Sequence, residues 1–182
     1  MSASSDKYAE LTNICAGNAA TSIAQLLGAS LHMAPPRCWE ITDGRLPDDL
    51  FGPDERVTVV FAELEGGAGG ATGLILRRPI LEQMVQRLTG DDAATNFDER
   101  ALSALCELGN IAVSAAANSL GEMLGDVVLP SVPRLGFEKV WADALLEMCG
   151  DLEGKTAYLV ETELLDDQRP LRLLFAWVPA GA

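Results

Sequence analysis

The chain has 182 residues, 48% of them hydrophobic, and its 27 acidic and 13 basic side chains leave a formal net charge of −14. That apolar content supports a packed core and excludes wholesale disorder, and the length suits one domain, with room for two related halves. So acidic a surface repels nucleic acid and anionic membrane, which removes both as expected partners.

The opening Met1–Lys7 lacks an apolar signal core. No apolar run is long enough to span a bilayer. The expectation is a cytoplasmic protein. Cys15, Cys38, Cys106 and Cys149 are widely spaced, with no Cys-x-x-Cys pair. They read as reduced, mostly buried thiols, with neither a metal nor a redox site expected.

Residues from about Asp6 to Leu27 predict a helix closed by Gly28. Pro35-Pro36 opens an extended stretch, Arg37 to Thr42, followed by a turn-rich segment around Asp43 to Pro53. Arg56–Glu63 and Gly70–Leu76 are strand-like and are joined by the Gly-rich connection Glu65–Gly70. Pro79–Leu88 predicts a short helix with proline at its start and Gly90 at its end. Asp91–Asp98 reads as the connector between halves.

A second pass of the same pattern then begins. Asp98–Leu124 predicts a helix ending at Gly125, and Pro133 opens an extended segment to Val140. Trp141–Cys149 predicts a short helix; Lys155–Leu164 and Leu171–Val178 predict strands. No segment after the last strand corresponds to the helix Pro79–Leu88.

The two passes share a polar signature. Asp6, Glu10, Asn13 and Pro36 recur as Ser103, Glu107, Asn110 and Pro133 at a constant offset of 97 residues. Apolar and small positions recur with them: Leu11 with Leu108, Ile14 with Ile111, Ala19 with Ala116, Gly28 with Gly125. The chain is therefore an internal duplication, with repeats at about 1–96 and 97–182. One long helix and a few strands bury little alone, so the halves are expected to share one sheet and one core. The fold class is α+β, a largely antiparallel sheet covered by helices.

At 100° per residue, Asp6, Glu10, Asn13, Gly17, Ala20 and Ala24 form one stripe of the first helix. Ser103, Glu107, Asn110, Ser114, Ala117 and Gly121 form the same stripe on the second. Leu11, Cys15 and Ala19, like Leu108, Ala112 and Ala116, lie opposite. Each helix thus exposes a carboxylate and a carboxamide about 4.5 Å apart along its axis. The small residues beyond them suggest a face that docks closely against another surface.

Asn has no useful basicity near neutral pH, but its carboxamide can hold a water molecule through donors and an acceptor. Glu needs a cationic partner. Neither supplies a nucleophile, so such a site is complete only when the substrate brings the missing groups.

The duplicated Glu-x-x-Asn, with Asp or Ser four before Glu and Pro twenty-three after Asn, resembles the CheC / CheX / FliY phosphatases of bacterial and archaeal chemotaxis. The run Glu10–Thr21 looks especially like CheC, and the resemblance covers nearly the whole chain. It implies the CheC-like fold, with two long signature helices over pseudo-two-fold halves, and a phosphatase acting on the phospho-aspartate of a CheY-like response regulator. By the same resemblance Asn13 and Asn110 would position the attacking water, and Glu10 and Glu107 would bind the regulator's lysine. Asp6 and Ser103 would be ancillary, while Pro36 and Pro133 would shape the next strand. The regulator would supply Mg²⁺, with no cofactor held by this chain. The deamidase CheD is implied as a further partner. Two intact motifs imply a CheC-like monomer, because the duplication already supplies a two-fold arrangement. The alternatives are a non-catalytic interaction module of the same fold and a phosphatase for a regulator outside chemotaxis.

Other features have plainer readings. Gly150–Thr156 falls one residue short of a phosphate-binding loop and precedes a strand, so it predicts a turn. His32 is the only histidine, which disfavours a histidine-ligated metal. Asp48-Asp49, Asp91-Asp92 and Asp166-Asp167 read as solvated loops, and Trp39, Trp141 and Trp177 as core or rim.

Overall fold

The first half comprises α1 (Ala3–Leu27), β1 (His32–Met33), β2 (Arg37–Thr42), β3 (Arg56–Glu65), β4 (Gly70–Arg77) and α2 (Arg78–Thr89). The second comprises α3 (Glu99–Leu124), β5 (Leu129–Pro130), β6 (Arg134–Val140), α4 (Trp141–Cys149), β7 (Thr156–Leu165) and β8 (Leu171–Val178). This computed structural model describes residues 3–28, 32–33, 35–42, 50–52, 54–67, 69–90, 97–150, 154–165 and 170–180. The three Asp-Asp pairs and most of the expected turn at 43–53 and connector at 91–98 lie outside the described residues.

Local chemistry explains the helix limits. Asp98 caps α3 by accepting the Ala101 backbone N–H at 2.9 Å. Gly125 closes that helix at φ 67°, in the left-handed region where a side chain would be strained. α1 ends likewise at Gly28, φ 61°. Every predicted element is present within a few residues. The two-residue strands β1 and β5 were not foreseen; they too repeat at an offset of 97. The offset is 100 between β3 and β7, the additional residues falling between β6 and β7, where α4 lies.

All strand pairings are antiparallel, in the order β1–β7–β8–β4–β3–β5, with β2 also on β7 and β6 also on β3. The halves exchange strands: β1 and β2 pair with the second half's β7, while β5 and β6 pair with the first half's β3. β4 and β8 join the halves at the centre, Gly73 opposite Ala176. Both sheet faces are buried. Leu64, Leu74, Val160, Leu173 and Phe175 pack with α1, α2 and α3. The alternate residues Val59, Phe61, Ile75, Leu159 and Leu174 pack with α4, Leu50 and Phe51. Trp141 and Trp177 are core residues and Trp39 borders the second layer.

An ionic cluster ties the halves across the sheet. Arg77, at the end of β4, reaches Glu55 at 3.0 Å and Glu161 of β7 at 3.1 Å, donates to the Leu50 carbonyl, and lies over the Phe51 ring.

Two expectations are corrected. The stripe of small residues does not remain a free docking face: Ala20, Ala24, Ala117 and Gly121 are buried. At Gly121 the covering segment is Asp126–Val128: an added methyl group would lie 2.8 Å from the Asp126 carbonyl oxygen. α1 and α3 meet through another face, where Asn18 Nδ2 donates to Ser119 Oγ at 2.7 Å. Nor are the thiols mostly buried among the described side chains, which leave out that of Cys149: Cys15 is buried, but Cys38 is exposed and Cys106 half-buried, because each lies on an outward side of its element.

Candidate active site

The polar ends of the two signature helices remain at the surface. Asp6, Glu10, Ser103, Glu107 and Asn110 are exposed and Asn13 is half-buried. Their placement follows from what is anchored beneath. Leu11, Cys15 and Ala19 fix α1, and Leu108, Ala112 and Ala116 fix α3, in the core under the sheet. Turning about half a revolution from those anchors leaves Glu and Asn facing out.

Gly109, between Glu107 and Asn110, brings α3 directly onto β3. A methyl group added there would lie 2.3 Å from Val60 Cβ. The corresponding residue of α1 is Thr12, fully buried, its hydroxyl donating to the Tyr8 carbonyl at 2.8 Å. Gly109→Ala is therefore expected to lift α3 from the sheet, with a stability loss of about 1–3 kcal/mol, and to displace the second Glu/Asn pair. Urea unfolding measures the first effect; an unchanged midpoint would contradict this packing.

The second copy of the signature converges on one place. Ser103, Glu107, Asn110 and Pro133 all line a single cavity of about 530 Å³. Cys106 shares the helical wall, and the segment Pro130–Pro133 forms the other wall. Cys106 and residues 130–132 were not among the sequence candidates. The offset of 97 carries 130–133 onto 33–36, but only the proline at the end of each recurs, so the repeat gave no signal for the rest of this wall.

In the first copy, Glu10 lies near Cys38, two residues beyond Pro36 at the start of β2. Desolvation, and then the Glu10 charge, raise the Cys38 thiol above its ordinary pKa. Removing that charge favours the thiolate, so Glu10→Gln is expected to accelerate alkylation of Cys38 at pH 8. Cys15, which burial pushes up to about 12, stays unlabelled in the folded protein. Equal Cys38 labelling rates in both proteins would separate Glu10 from this strand. Pro36 and Pro133 immediately precede β2 and β6, as expected of residues that shape the entry to a strand.

Among the described residues neither Glu10 nor Glu107 has a salt-bridge partner, and no group of three His, Cys, Asp or Glu side chains comes together. No described helix is long and apolar enough to cross a membrane. What the site offers is an unengaged carboxylate beside a carboxamide, presented twice on rigid helices.

These features define an α+β protein of two strand-exchanged repeats, each displaying one Glu/Asn pair. The CheC-like family model matches residues 9–38 and 101–136, which include both pairs and both prolines. The chain is 30% identical over 175 residues to CheY-P phosphatase CheC of Bacillus subtilis, covering 92% of this chain and 83% of that one. It belongs to the CheC-like family. Its fold is also that of Thermotoga maritima FliY (24% identity, TM-score 0.73, covering 95% of this chain and 88% of that one). A chain of the CheX–CheY–BeF3–Mg²⁺ complex of Borrelia burgdorferi is similar in fold (15% identity, TM-score 0.58, covering 89% and 93%).

Proposed function

We propose that this chain hydrolyses the phospho-aspartate of a CheY-like response regulator in chemotaxis signalling. The observation that carries this reading is the outward Glu/Asn pair, present twice at equivalent places in a chain homologous to CheY-P phosphatase CheC.

The reaction transfers a phosphoryl group from the aspartyl carboxylate to water. Its transition state is loose, so little covalent chemistry is asked of the protein and positioning dominates. Asn13 or Asn110 enters the regulator's site and holds water in line with the phosphorus, its carboxamide oxygen accepting from the water. Glu10 or Glu107 pairs with the regulator's lysine and fixes the register of the two proteins. Mg²⁺ arrives with the regulator, where it neutralises phosphate charge. Asp6 and Ser103 stand one turn before each Glu and are ancillary. The reading places the chain in the cytoplasm as a monomer with two sites, and CheD is a candidate second partner.

The test is the decay of a ³²P-labelled CheY-type regulator with Mg²⁺, with and without this protein. Faster decay supports the reading. Unchanged decay with chemotaxis regulators but faster decay with another two-component regulator would move the substrate outside chemotaxis. Tight binding to CheD or a switch protein, with no effect on any regulator, would identify an interaction module.

A further inference from the structure

We propose that Pro130–Pro133 is a preformed docking ledge at the second site, and that Val132 at its tip sets how tightly the substrate protein is held. The inference rests on the phosphatase reading and names the surface by which that site takes its substrate: a folded protein with an apolar patch beside its phosphorylated aspartate and lysine.

Val132 is 86% exposed, the most exposed large hydrophobic residue described. A lone exposed valine on a free loop would need no explanation. This one is held. The Ser131 backbone N–H donates to the Glu63 carbonyl at 2.8 Å, and the Glu63 N–H donates back to Ser131 Oγ at 3.1 Å. Just before it, β5 pairs Pro130 with Leu64 and Leu129 with Glu65. Just after it, Arg134 bonds Glu63 at 2.8 Å and covers the Phe61 ring. Pro130 and Pro133 restrict φ on either side. An apolar side chain presented on a clamped segment makes its contact with little ordering cost.

The occupant follows from the cavity. Asn110 and Glu107 form one wall and Val132 belongs to the other. A protein surface large enough to deliver an acyl phosphate to Asn110 must also cover Val132. Glu107 is the one charged residue lining this cavity among those described, which suits a cation at one edge of the partner and an apolar surface at the other. At the equivalent place in the first half stands Pro35, so the two sites differ in this ledge while sharing the Glu/Asn pair.

The experiment uses the full chain carrying Asn13→Ala, which leaves the second site as the working one. Val132→Asp is added, and phosphate decay is followed against regulator concentration; binding of the beryllofluoride-activated form of the same regulator is titrated in parallel. KM and Kd are expected to rise about tenfold, with a smaller change in kcat, while Val132→Ile keeps both near the parent values. Thermal melting should be unchanged, since the side chain is in solvent. Unaltered KM and Kd in Val132→Asp, or a fall in kcat alone, would overturn the ledge. So would complete loss of activity in Asn13→Ala when the wild-type protein is active. A wild-type protein inactive on every regulator would instead overturn the phosphatase reading itself.

Discussion

Expressed separately, residues 1–96 and 97–182 are expected to remain unfolded, and to regain a cooperative unfolding transition when mixed. A sequence repeat is compatible with two autonomous units, but the strand pairing excludes them, in keeping with the expected shared sheet. Residues 1–96 alone leave β1 and β2 without β7, and leave β3 with an open edge where β5 and β6 belong. Residues 97–182 suffer the mirror loss. Each fragment also loses its neighbour across the central β4–β8 pairing and the whole contact between α1 and α3. What is left is a hairpin, two helices and an unpaired apolar edge, too little for independent stability and prone to associate. Glu161 would lose its 3.1 Å partner Arg77 as well. Circular dichroism under urea measures this. A sigmoidal transition from either fragment alone would contradict the exchanged topology.

The second large effect is on activity. Asn13→Ala combined with Asn110→Ala is expected to slow catalysed phosphate loss at least about 100-fold, the scale on which mispositioning a reacting group is felt. Stability should move by no more than about 0.5 kcal/mol, because Asn110 is exposed, Asn13 half-buried, and neither carboxamide supports the core. Aspartate at both positions would also fail: it keeps the shape but loses the N–H donors and adds negative charge near a phosphate. Each single variant should retain activity through the other pair, and the division between them reports how differently Pro35 and Val132 dress the two sites. Decay rates for the wild type and these four variants, with melting temperatures alongside, check all of this. A double variant that unfolds would contradict the placement of these residues at the surface.

Much of this architecture was legible in the sequence because local rules and global fold agree in it. Gly28, Gly90 and Gly125 stop helices in the left-handed region, Pro79 stands near a helix start, and the β-branched run Val57–Val60 became part of β3. The Glu/Asn pairs were found through repetition; one copy alone would have passed as a solvated helix face. Strand exchange was not legible, since pairing partners are chosen by tertiary contact and the repeat is equally compatible with each half pairing to itself. The stripe of small residues was misread for a related reason. Periodicity reports which residues share a face, not how far along it solvent reaches; Ala20, Ala24, Ala117 and Gly121 are buried, Gly121 against the segment Asp126–Val128. The ledge escaped because two-residue strands such as β5 leave no periodic trace. Only the backbone bonds between Ser131 and Glu63 show that Val132 is held in place.

The most direct test of the central claim is a single-turnover experiment, in which a trace of ³²P-labelled CheY-type regulator is mixed with increasing excess of this protein in Mg²⁺ buffer. For the wild type the rate constant of phosphate loss should rise and saturate, and for the Asn13→Ala/Asn110→Ala protein it should stay at the regulator's own rate at every concentration. Saturating acceleration by the double variant, equal to that of the wild type, would show that the Glu/Asn pairs are not where the chemistry is done.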